Sequence, residues 1–474
     1  MPSCQRPPLR TTRAALVAPL AAALLAMSTA AAVAQPASQR LDELIASRIQ
    51  DDRSKVCLHV ARVDLAAAPS VVTASGCGGP RSDAPALDAR FEIGSISKAF
   101  VGVLAAEMVA RGELKLDEPL SALLPKGASA PHVGEQEIRL LDLLTHMSGL
   151  PPLPPTLGPD TDPANPYARL RADVLYDPLA GVKLAAAPGT RYAYSNWAFL
   201  MLSDLLARRA GQPYDALLTE RVLAPLRMTQ TRVANNDGLV GGRMANGQPT
   251  PAWDVPVAFA GAGGLRAPLG DLVIFARALL GELPDGVPPS LRSALASSMV
   301  KQREINSALS IGLAWHLRSA AGRNDAAAPL VFHNGMTGGF SSMLMLDVAQ
   351  RRAAIVLADA AGGFDDLALR LLDPRAPLSS PRRAVALDVD TARGALGRYE
   401  LAPGFIVTLS LDGATLYAQA TGQDRFELKQ DSRGDYYAMV ADILVRMERD
   451  STGRASALTL FQGGGAMRAR RLGD

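Results

Sequence analysis

The sequence predicts an α/β fold of the α+β kind: an antiparallel sheet flanked by helices, followed by a small all-β domain. Two β-like runs, KVCLHVARV and SVVTASGC, come first, and four more, SIGLAWHL, LVFHNG, SSMLMLDV and AAIVLAD, come late. The late group alternates or runs apolar with short turns between, as antiparallel strands do. Between the groups the chain is helical and Pro-rich, and after residue 390 short alternating strands recur.

Composition supports this and excludes other classes. With 474 residues, 48% hydrophobic and 20% charged, the chain can bury the cores of two or three domains, so disorder is not expected. A formal net charge of +3 without a long basic run argues against a nucleic-acid partner.

At the N-terminus, Arg6, Arg10 and Arg13 precede the apolar run ALVAPLAAALLAM, and Ala32-Val33-Ala34 before Gln35 has the small-x-small form of a signal-peptidase site. Residues 1–34 therefore read as a signal peptide, with an N-terminal membrane anchor as the alternative. Cys4 lies ahead of the apolar run and cannot be a lipid-attachment cysteine at the cleavage site. A cleaved signal implies a periplasmic or secreted protein with no stable membrane anchor, in an oxidising compartment. The mature chain keeps Cys57 and Cys77. A hairpin register that sets Val63 beside Val71 also sets Cys57 beside Cys77. They form either a disulfide stabilising by about 3 kcal/mol or two buried thiols. Neither is a nucleophile, since nothing nearby in sequence would lower a thiol pKa.

Next comes FEIGSISKAFVGVLAAEMVARG, residues 91–112. A short β-prone piece meets Gly94, and from Ser95 onward apolar residues are dense enough to require a mostly buried helix, which Gly112 stops. Lys98 sits in its first turn with almost no polar face, an expensive place for an amine without a task. Residues three apart share a helix face, so Lys98 can exchange a proton with the Ser95 hydroxyl. Unpaired amides at the helix start favour the oxyanion of an acyl-transfer intermediate. Ser-x-x-Lys alone is weak, and Ser298-Met299-Val300-Lys301 repeats it late in the amphipathic stretch SLRSALASSMVK, with no strand before it. That copy reads as a decoy.

LDEPLSALLP and IRLLDLLTHMSGLPPLPP each give a short helix before the prolines. His146 reads as a base or as a packed residue fixing the loop at Ser148-Gly149. In APGTRYAYSNWAFLMLSDLLARRAG, a helix begins near Trp197 and is closed by Gly211 and Pro213, which places Tyr194-Ser195-Asn196 on the loop entering it. Tyr194 can relay protons and the Asn196 amide can hydrogen-bond a substrate amide, or the pair is an aromatic staple and a polar cap. Gly261, Gly263 and Gly264 lack the Gly-Lys-Ser/Thr of a phosphate loop and read as tight packing.

His333-Asn334-Gly335 ends one of the late strands. Gly335 would let a substrate lie against the backbone, and His333 could donate to a carboxylate or carbonyl; the plainer reading is a strand cap. A similar His132-Val133-Gly134 lies in a loop. Farther on, DPRAPLSSPRRA reads as a linker, and FIVTLSLDGATLYAQA, with Asp412-Gly413 as its turn, YYAMVA, ILVRMERD and ALTLFQ suit a small barrel.

Taken in order, Ser95-x-x-Lys98, Tyr194-Ser195-Asn196 and His333-Asn334-Gly335 resemble the three motifs of the serine β-lactamase and penicillin-binding-protein superfamily, nearest to class C β-lactamases and their DD-peptidase and esterase relatives. FEIGSISKAF, LKLDEPLSALLP, LLTHMSGLP, APGTRYAYSN, LAPLRMTQT, AGGLRAPLGDL and FHNGMTGGFSS extend the resemblance over roughly residues 40–372. It implies a sheet in which the strands near Cys57 join those near His333, with a helical region inserted between. It also implies that Ser95 is acylated, that Lys98 and Tyr194 share the proton transfers, and that Asn196 orients the substrate amide. His333, Asn334 and Gly335 would line the opposite wall, with the amides of Ser95 and Met336 as oxyanion hole.

One departure matters: the family's β-lactamases usually carry Lys-Thr-Gly where this chain has His-Asn-Gly. A mostly neutral imidazole anchors a carboxylate less strongly than an ammonium, which gives weight to peptide or ester substrates. The expected organisation is a signal peptide (1–34), a β-lactamase-like serine hydrolase domain (35–372), a linker (373–390) and a C-terminal domain (391–474) that resembles the lipocalin-like domain of some relatives. The expected function is acyl transfer from Ser95 on β-lactams or D-alanyl peptides, or on small esters; the alternative of another class is a non-hydrolytic penicillin-binding sensor. The partner is a small-molecule or peptide substrate. No cofactor is expected and no metal, because the five histidines are scattered without zinc-ligand spacing.

Overall fold

The structure is a computed structural model that describes residues 37–157, 161–162, 164–319, 328–402, 405–421, 425–438, 443–462 and 465–473. The expected signal peptide lies outside the described residues. Among the described residues no helix is long and apolar enough to cross a membrane.

Helix α1 (Ala37–Arg48) leads into the hairpin β1 (Cys57–Asp64) and β2 (Ser70–Cys77). Its register pairs Val63 with Val71 and Cys57 with Cys77, and the two sulfurs form a disulfide. The central helices are α2 (Ser97–Ala110), α3 (Asn196–Ala210), α4 (Leu269–Leu279) and α5 (Pro289–Ser298). They are followed by β3 (Arg303–Asn306), β4 (Leu309–Ile311), β5 (His316–Arg318), β6 (Leu330–Met336), β7 (Ser341–Asp347), β8 (Arg352–Ala358) and α6 (Asp365–Leu372).

These strands make one antiparallel sheet in the order β3-β4-β5-β6-β7-β8-β1-β2, so the first hairpin docks on the last strand of the domain. SIGLAWHL, read as a single strand, is broken into β4 and β5. A Cβ at Gly312 would lie 2.6 Å from the Ser298 carbonyl, and the Gly312 amide donates to the Trp315 carbonyl at 2.7 Å, so the chain turns there against the end of α5.

Both faces of the sheet are covered, which is why β7 and β8 read as continuous apolar runs. Successive side chains alternate. Leu58, Val60, Met343, Met345, Ala354 and Val356 pack under α1 and α6, whereas Ala61, Val63, Leu344, Leu346, Ala353 and Ile355 face the larger core around α2, α3 and α4.

The C-terminal strands are β9 (Gly397–Ala402), β10 (Phe405–Asp412), β11 (Thr415–Ala420), β12 (Phe426–Asp431), β13 (Tyr436–Ala438), β14 (Ile443–Arg449), β15 (Ala455–Gln462) and β16 (Gly465–Arg471). β9 pairs with β16 and β12 with β13, closing an eight-stranded antiparallel barrel filled by Tyr399, Leu409, Leu416, Tyr436, Val445 and Leu458. Ala384 and Val385 pair with β12, so the stretch expected as a linker already contributes to this sheet. The barrel is tied to the back of the main sheet: Arg382 N–H donates to Asp52 at 2.8 Å, and Ser379 N–H donates to Asp366 on α6 at 2.7 Å.

The disulfide closes a chain separation of 20 residues. The Cys57→Ser/Cys77→Ser double variant should lose about 3 kcal/mol by the loop-entropy relation. Its urea midpoint, compared with that of the oxidised protein, checks this; equal midpoints would show that the pair adds nothing.

Candidate active site

Strand Phe91–Glu92 pairs with Leu265–Ala267, and the chain then turns through Gly94–Ile96 into α2. Ser95 therefore sits on a tight turn before the helix rather than in its first turn. The turn needs Gly94, whose φ is +47°, and it is pinned to the sheet by the Ser342 hydroxyl, which donates to the Ile93 carbonyl at 2.8 Å. Gly335 on β6 allows the approach. A Cβ there would lie 2.1 Å from the Ile93 carbonyl oxygen and 2.9 Å from the Ser95 nitrogen.

Lys98 is fully buried, and its Nζ lies 3.0 Å from Ser95 Oγ, 2.8 Å from Asn196 Oδ1 and 2.5 Å from the Ala262 carbonyl. Burial pushes its pKa well below the ordinary lysine range. Asn196 Oδ1 and the Ala262 carbonyl can only accept, so Nζ donates to both, and whenever the amine is neutral its lone pair is left for the Ser95 hydroxyl proton. On the other side of Ser95, the Tyr194 phenol donates to Oγ at 2.8 Å. Burial pushes the phenol pKa up, so it stays protonated. Nζ also lies 5.0 Å from the Tyr194 ring and 5.6 Å from the Phe199 ring.

Tyr194 is held by a residue whose contribution was only partly legible. His146 is fully buried with φ +55°, its Nδ1 accepts from the Ser195 amide at 3.0 Å, and its carbonyl accepts from Ala193 at 2.8 Å. Its ring stacks on Tyr194 with centroids 4.2 Å apart. It thus fixes the residues on both sides of the phenol and the ring itself. Burial first, and then the neighbourhood of Lys98, His316 and His333, pushes its pKa well down, so it is a neutral packed group. Ser195 caps α3, accepting from Ala198 N–H at 3.2 Å and donating to the Pro151 carbonyl at 2.8 Å. That cap sets Asn196 at the first helical position, facing Lys98.

β6 supplies the opposite wall, and strand alternation divides its residues. His333 and Gly335 share the face toward Ser95. His333 is buried, its Nδ1 lies 2.6 Å from the Asn334 carbonyl, and its ring meets His316 edge-on at 5.4 Å. Burial first, then His316 and Lys98, holds it well below the usual histidine range. Tyr192 contacts His316 Nε2 at 2.9 Å. Asn334 departs from the expectation that it lines this wall: its side chain points to the other face and donates to Asp365 on α6 at 2.8 Å. The Met336 side chain is 56% exposed, but its amide nitrogen is inside, where a Cβ on Gly94 would lie 2.7 Å away. The hairpin bond from Thr337 N–H to the Phe340 carbonyl sets the ladder phase, so the Met336 N–H points away from β7.

The remaining candidates lie apart from this cluster. Ser298 donates to the Leu295 carbonyl within α5, and Lys301 pairs with Glu304 at 3.2 Å on the surface. His132 is exposed on its own small hairpin. Sequence reading missed the Ala262 carbonyl, which a backbone contact leaves no residue signal for, and the Tyr192–His316 pair, whose members are 124 residues apart.

Comparison with known proteins places the chain in a family. Residues 67–374 match the Beta-lactamase family model, and the chain belongs to that family. It is 32% identical over 189 residues to the D-alanyl-D-alanine-carboxypeptidase/endopeptidase AmpH of Escherichia coli K12, a match covering 40% of this chain and 48% of AmpH. It is 26% identical to penicillin-binding protein 4 of Amycolatopsis lactamdurans, covering 62% of this chain and 79% of that one. The chain thus spans about half the length of AmpH. Among solved structures, a β-lactamase/D-alanine carboxypeptidase from Yersinia pestis shares the fold at TM-score 0.56 and 23% identity, covering 68% of this chain and 92% of that one. A class C β-lactamase does so at TM-score 0.58 and 19% identity, covering 72% and 95%.

Two predictions follow from the geometry. His146→Asn keeps an acceptor near Nδ1 and should retain more Ser95 acylation than His146→Leu, which should fall by about 10-fold or more for loss of the Ser195 bond and the stack. Stopped-flow acylation rates with matched circular dichroism would show whether the loss is specific; equal losses would remove the role given to Nδ1. For Lys98, the unfolded state binds more protons than the folded state between the depressed folded pKa and about 10.4, so burial costs stability at neutral pH and the cost fades as pH rises. Melting temperatures of wild type and Lys98→Met should therefore shift in favour of wild type between pH 7 and pH 10.

Proposed function

We propose that the protein is an exported serine hydrolase that works through an acyl-enzyme at Ser95. The observation that carries this is the bracketing of one hydroxyl by a buried amine at 3.0 Å and a buried phenol at 2.8 Å. Lys98 takes the Ser95 proton as Oγ attacks the carbonyl carbon. The resulting oxyanion lies between the amides of Ser95 and Met336. As the tetrahedral adduct collapses, the bond to the leaving group breaks and Tyr194 donates it a proton, regaining one from Lys98. Water then attacks the ester by the reverse transfers, releasing acid and free Ser95. Asn196 Oδ1 is spent on Lys98, which directs its amide Nδ2 to the substrate carbonyl.

Among substrates, β-lactams and D-alanyl peptides are the reading supported by family membership. Small uncharged esters or amides are favoured by a specific observation: β6 offers a neutral buried His333, an Asn334 turned away toward Asp365, and an exposed apolar Met336. Export rests on the pattern of residues 1–34 and on the Cys57–Cys77 disulfide. The catalytic domain is assigned to residues 35–372 and a lipocalin-like barrel to 391–474.

Intact-mass measurement after exposure to a labelled penicillin tests the reading. Wild type should show an adduct of the drug's mass that is absent in Ser95→Ala and in Lys98→Ala. An adduct in Ser95→Ala would exclude Ser95 as the nucleophile, and a lasting wild-type adduct would favour a penicillin-binding sensor over a hydrolase. Methylating the substrate carboxylate should change kcat/KM by less than about 3-fold, because no charge-assisted contact is lost; a fall of about 100-fold would reveal such an anchor.

A further inference from the structure

The turn that carries Ser95 and the turn that holds Lys98 are joined by a buried ion pair to which the reaction has so far assigned no part. Glu92 and Arg266 stand directly opposite each other on the short strands Phe91–Glu92 and Leu265–Ala267, each 1% exposed, with Arg266 Nη2 3.0 Å from Glu92 Oε1. Glu92 lies three residues before Ser95. Arg266 lies four residues after Ala262, whose carbonyl accepts from Lys98.

The guanidinium is spent largely on backbone. Nη1 donates to the Gly264 carbonyl at 2.6 Å, Nε donates to Asn236 Oδ1 at 3.2 Å, and Nη2 also donates to the Trp253 carbonyl. Glu92 Oε1 accepts from the Trp253 amide at 2.9 Å, so the pair grips both the amide and the carbonyl of one residue. The Thr337 side chain, next in the chain after Met336, favours the charged carboxyl as well. Two further bonds run alongside: the Ile93 amide donates to the Leu265 carbonyl at 3.2 Å, and the Leu265 amide donates to Ser97 Oγ at 3.1 Å.

Stability alone does not account for such a pair. Burial pushes the Glu92 carboxyl pKa up and the Arg266 guanidinium pKa down, and each partner's charge opposes that shift. Two ions taken out of water at this cost contribute little that apolar side chains of similar volume would not. Apolar side chains, however, hold no fixed directions. A planar fork of donors facing a carboxylate ties the segments around Glu92, Asn236, Trp253 and Gly264 together at set angles.

We propose that Glu92 and Arg266 are positioning residues for the acylation of Ser95, holding the Ser95 turn and the Ala262 turn at the spacing that keeps Lys98 Nζ within reach of Oγ. The inference rests on the hydrolase reading of Ser95. Both side chains act through the backbone of the two turns, not on the substrate. Misplacing a nucleophile and its base by about 1 Å can cost about 100-fold in rate, so a small loosening here is enough to be measured.

The Glu92→Gln/Arg266→Met double variant tests this, because it leaves no charge at the two positions while the new side-chain amide still offers an acceptor for the Trp253 amide and a donor for its carbonyl. Penicillin labelling at rising concentration, counted per folded molecule from near-ultraviolet circular dichroism, should show a maximal acylation rate lower by at least about 5-fold, with the half-saturating concentration changed by less than about 3-fold. Arg266→Lys keeps the charge and loses the fork, and should lie between wild type and the double variant. A smaller loss in the double variant, or one that only follows the unfolded fraction, would overturn the proposal. Hydrogen exchange gives a second reading that needs no substrate: amides of residues 93–97 and 262–267 should exchange faster in the double variant while those of β7 and β8 stay as in wild type. Unchanged exchange in both turns would equally overturn it. If the double variant does not fold, Arg266→Lys is read in the same two ways, and wild-type rate and exchange in that variant would refute the role. Absence of label on wild-type Ser95 would count against the hydrolase reading, and exchange would still decide whether the pair holds the two turns together.

Discussion

The removal of the Lys98 amine from water is the constraint on which the rest of the site depends. Water would hold that nitrogen as an ammonium, with no lone pair for the serine proton. The protein keeps it dry with α2 and α3 above and the Ala262 turn below, and satisfies its N–H groups with an amide oxygen and a carbonyl. Such a group costs folding energy, and the extensive apolar packing around it offsets that cost. The phenol on the opposite side is kept protonated by the same dryness, so one physical condition lowers the amine pKa and raises the phenol pKa.

The sheet explains how such a site can be rigid. Its two faces are buried by different sets of helices, and the strand bearing Gly335 is paired on both sides, with β5 and β7, and does not lie at a free edge. The turn bearing Ser95 is fastened to the neighbouring strand β7 by the Ser342 hydroxyl and lies against β6 because Gly335 has no side chain. Segments separated by more than 200 residues thereby bring the Ser95 turn against β6 beside the Met336 amide.

Much of this was legible in the sequence because the relevant signals are local. Ser95 and Lys98 are three residues apart, the Cys57–Cys77 pairing follows from one hairpin register, and Gly211 ends α3 with φ +69° as its type suggests. What was not legible depends on tertiary approach or on weak patterns. The partner of Asn334 lies on α6, which sequence alone does not place beside β6. The role of His146 toward Tyr194 needs two loops to meet. In the barrel, β9, β12 and β16 escaped notice because their outward residues are polar. GAMRARR buries Ala469 but exposes Arg468 and Arg470, which leaves almost no apolar alternation to read.

The alternation along β6 separates positions that accept substitution from one that does not. Positions that touch the reacting turn tolerate no added atom, since even a methyl at Gly335 would collide with the Ile93 carbonyl. Their neighbours at 334 and 336 project elsewhere, one toward a helix and one into solvent. Positions 334 and 336 can therefore exchange side chains without crowding the Ser95 turn, whereas position 335 can hold nothing larger than hydrogen.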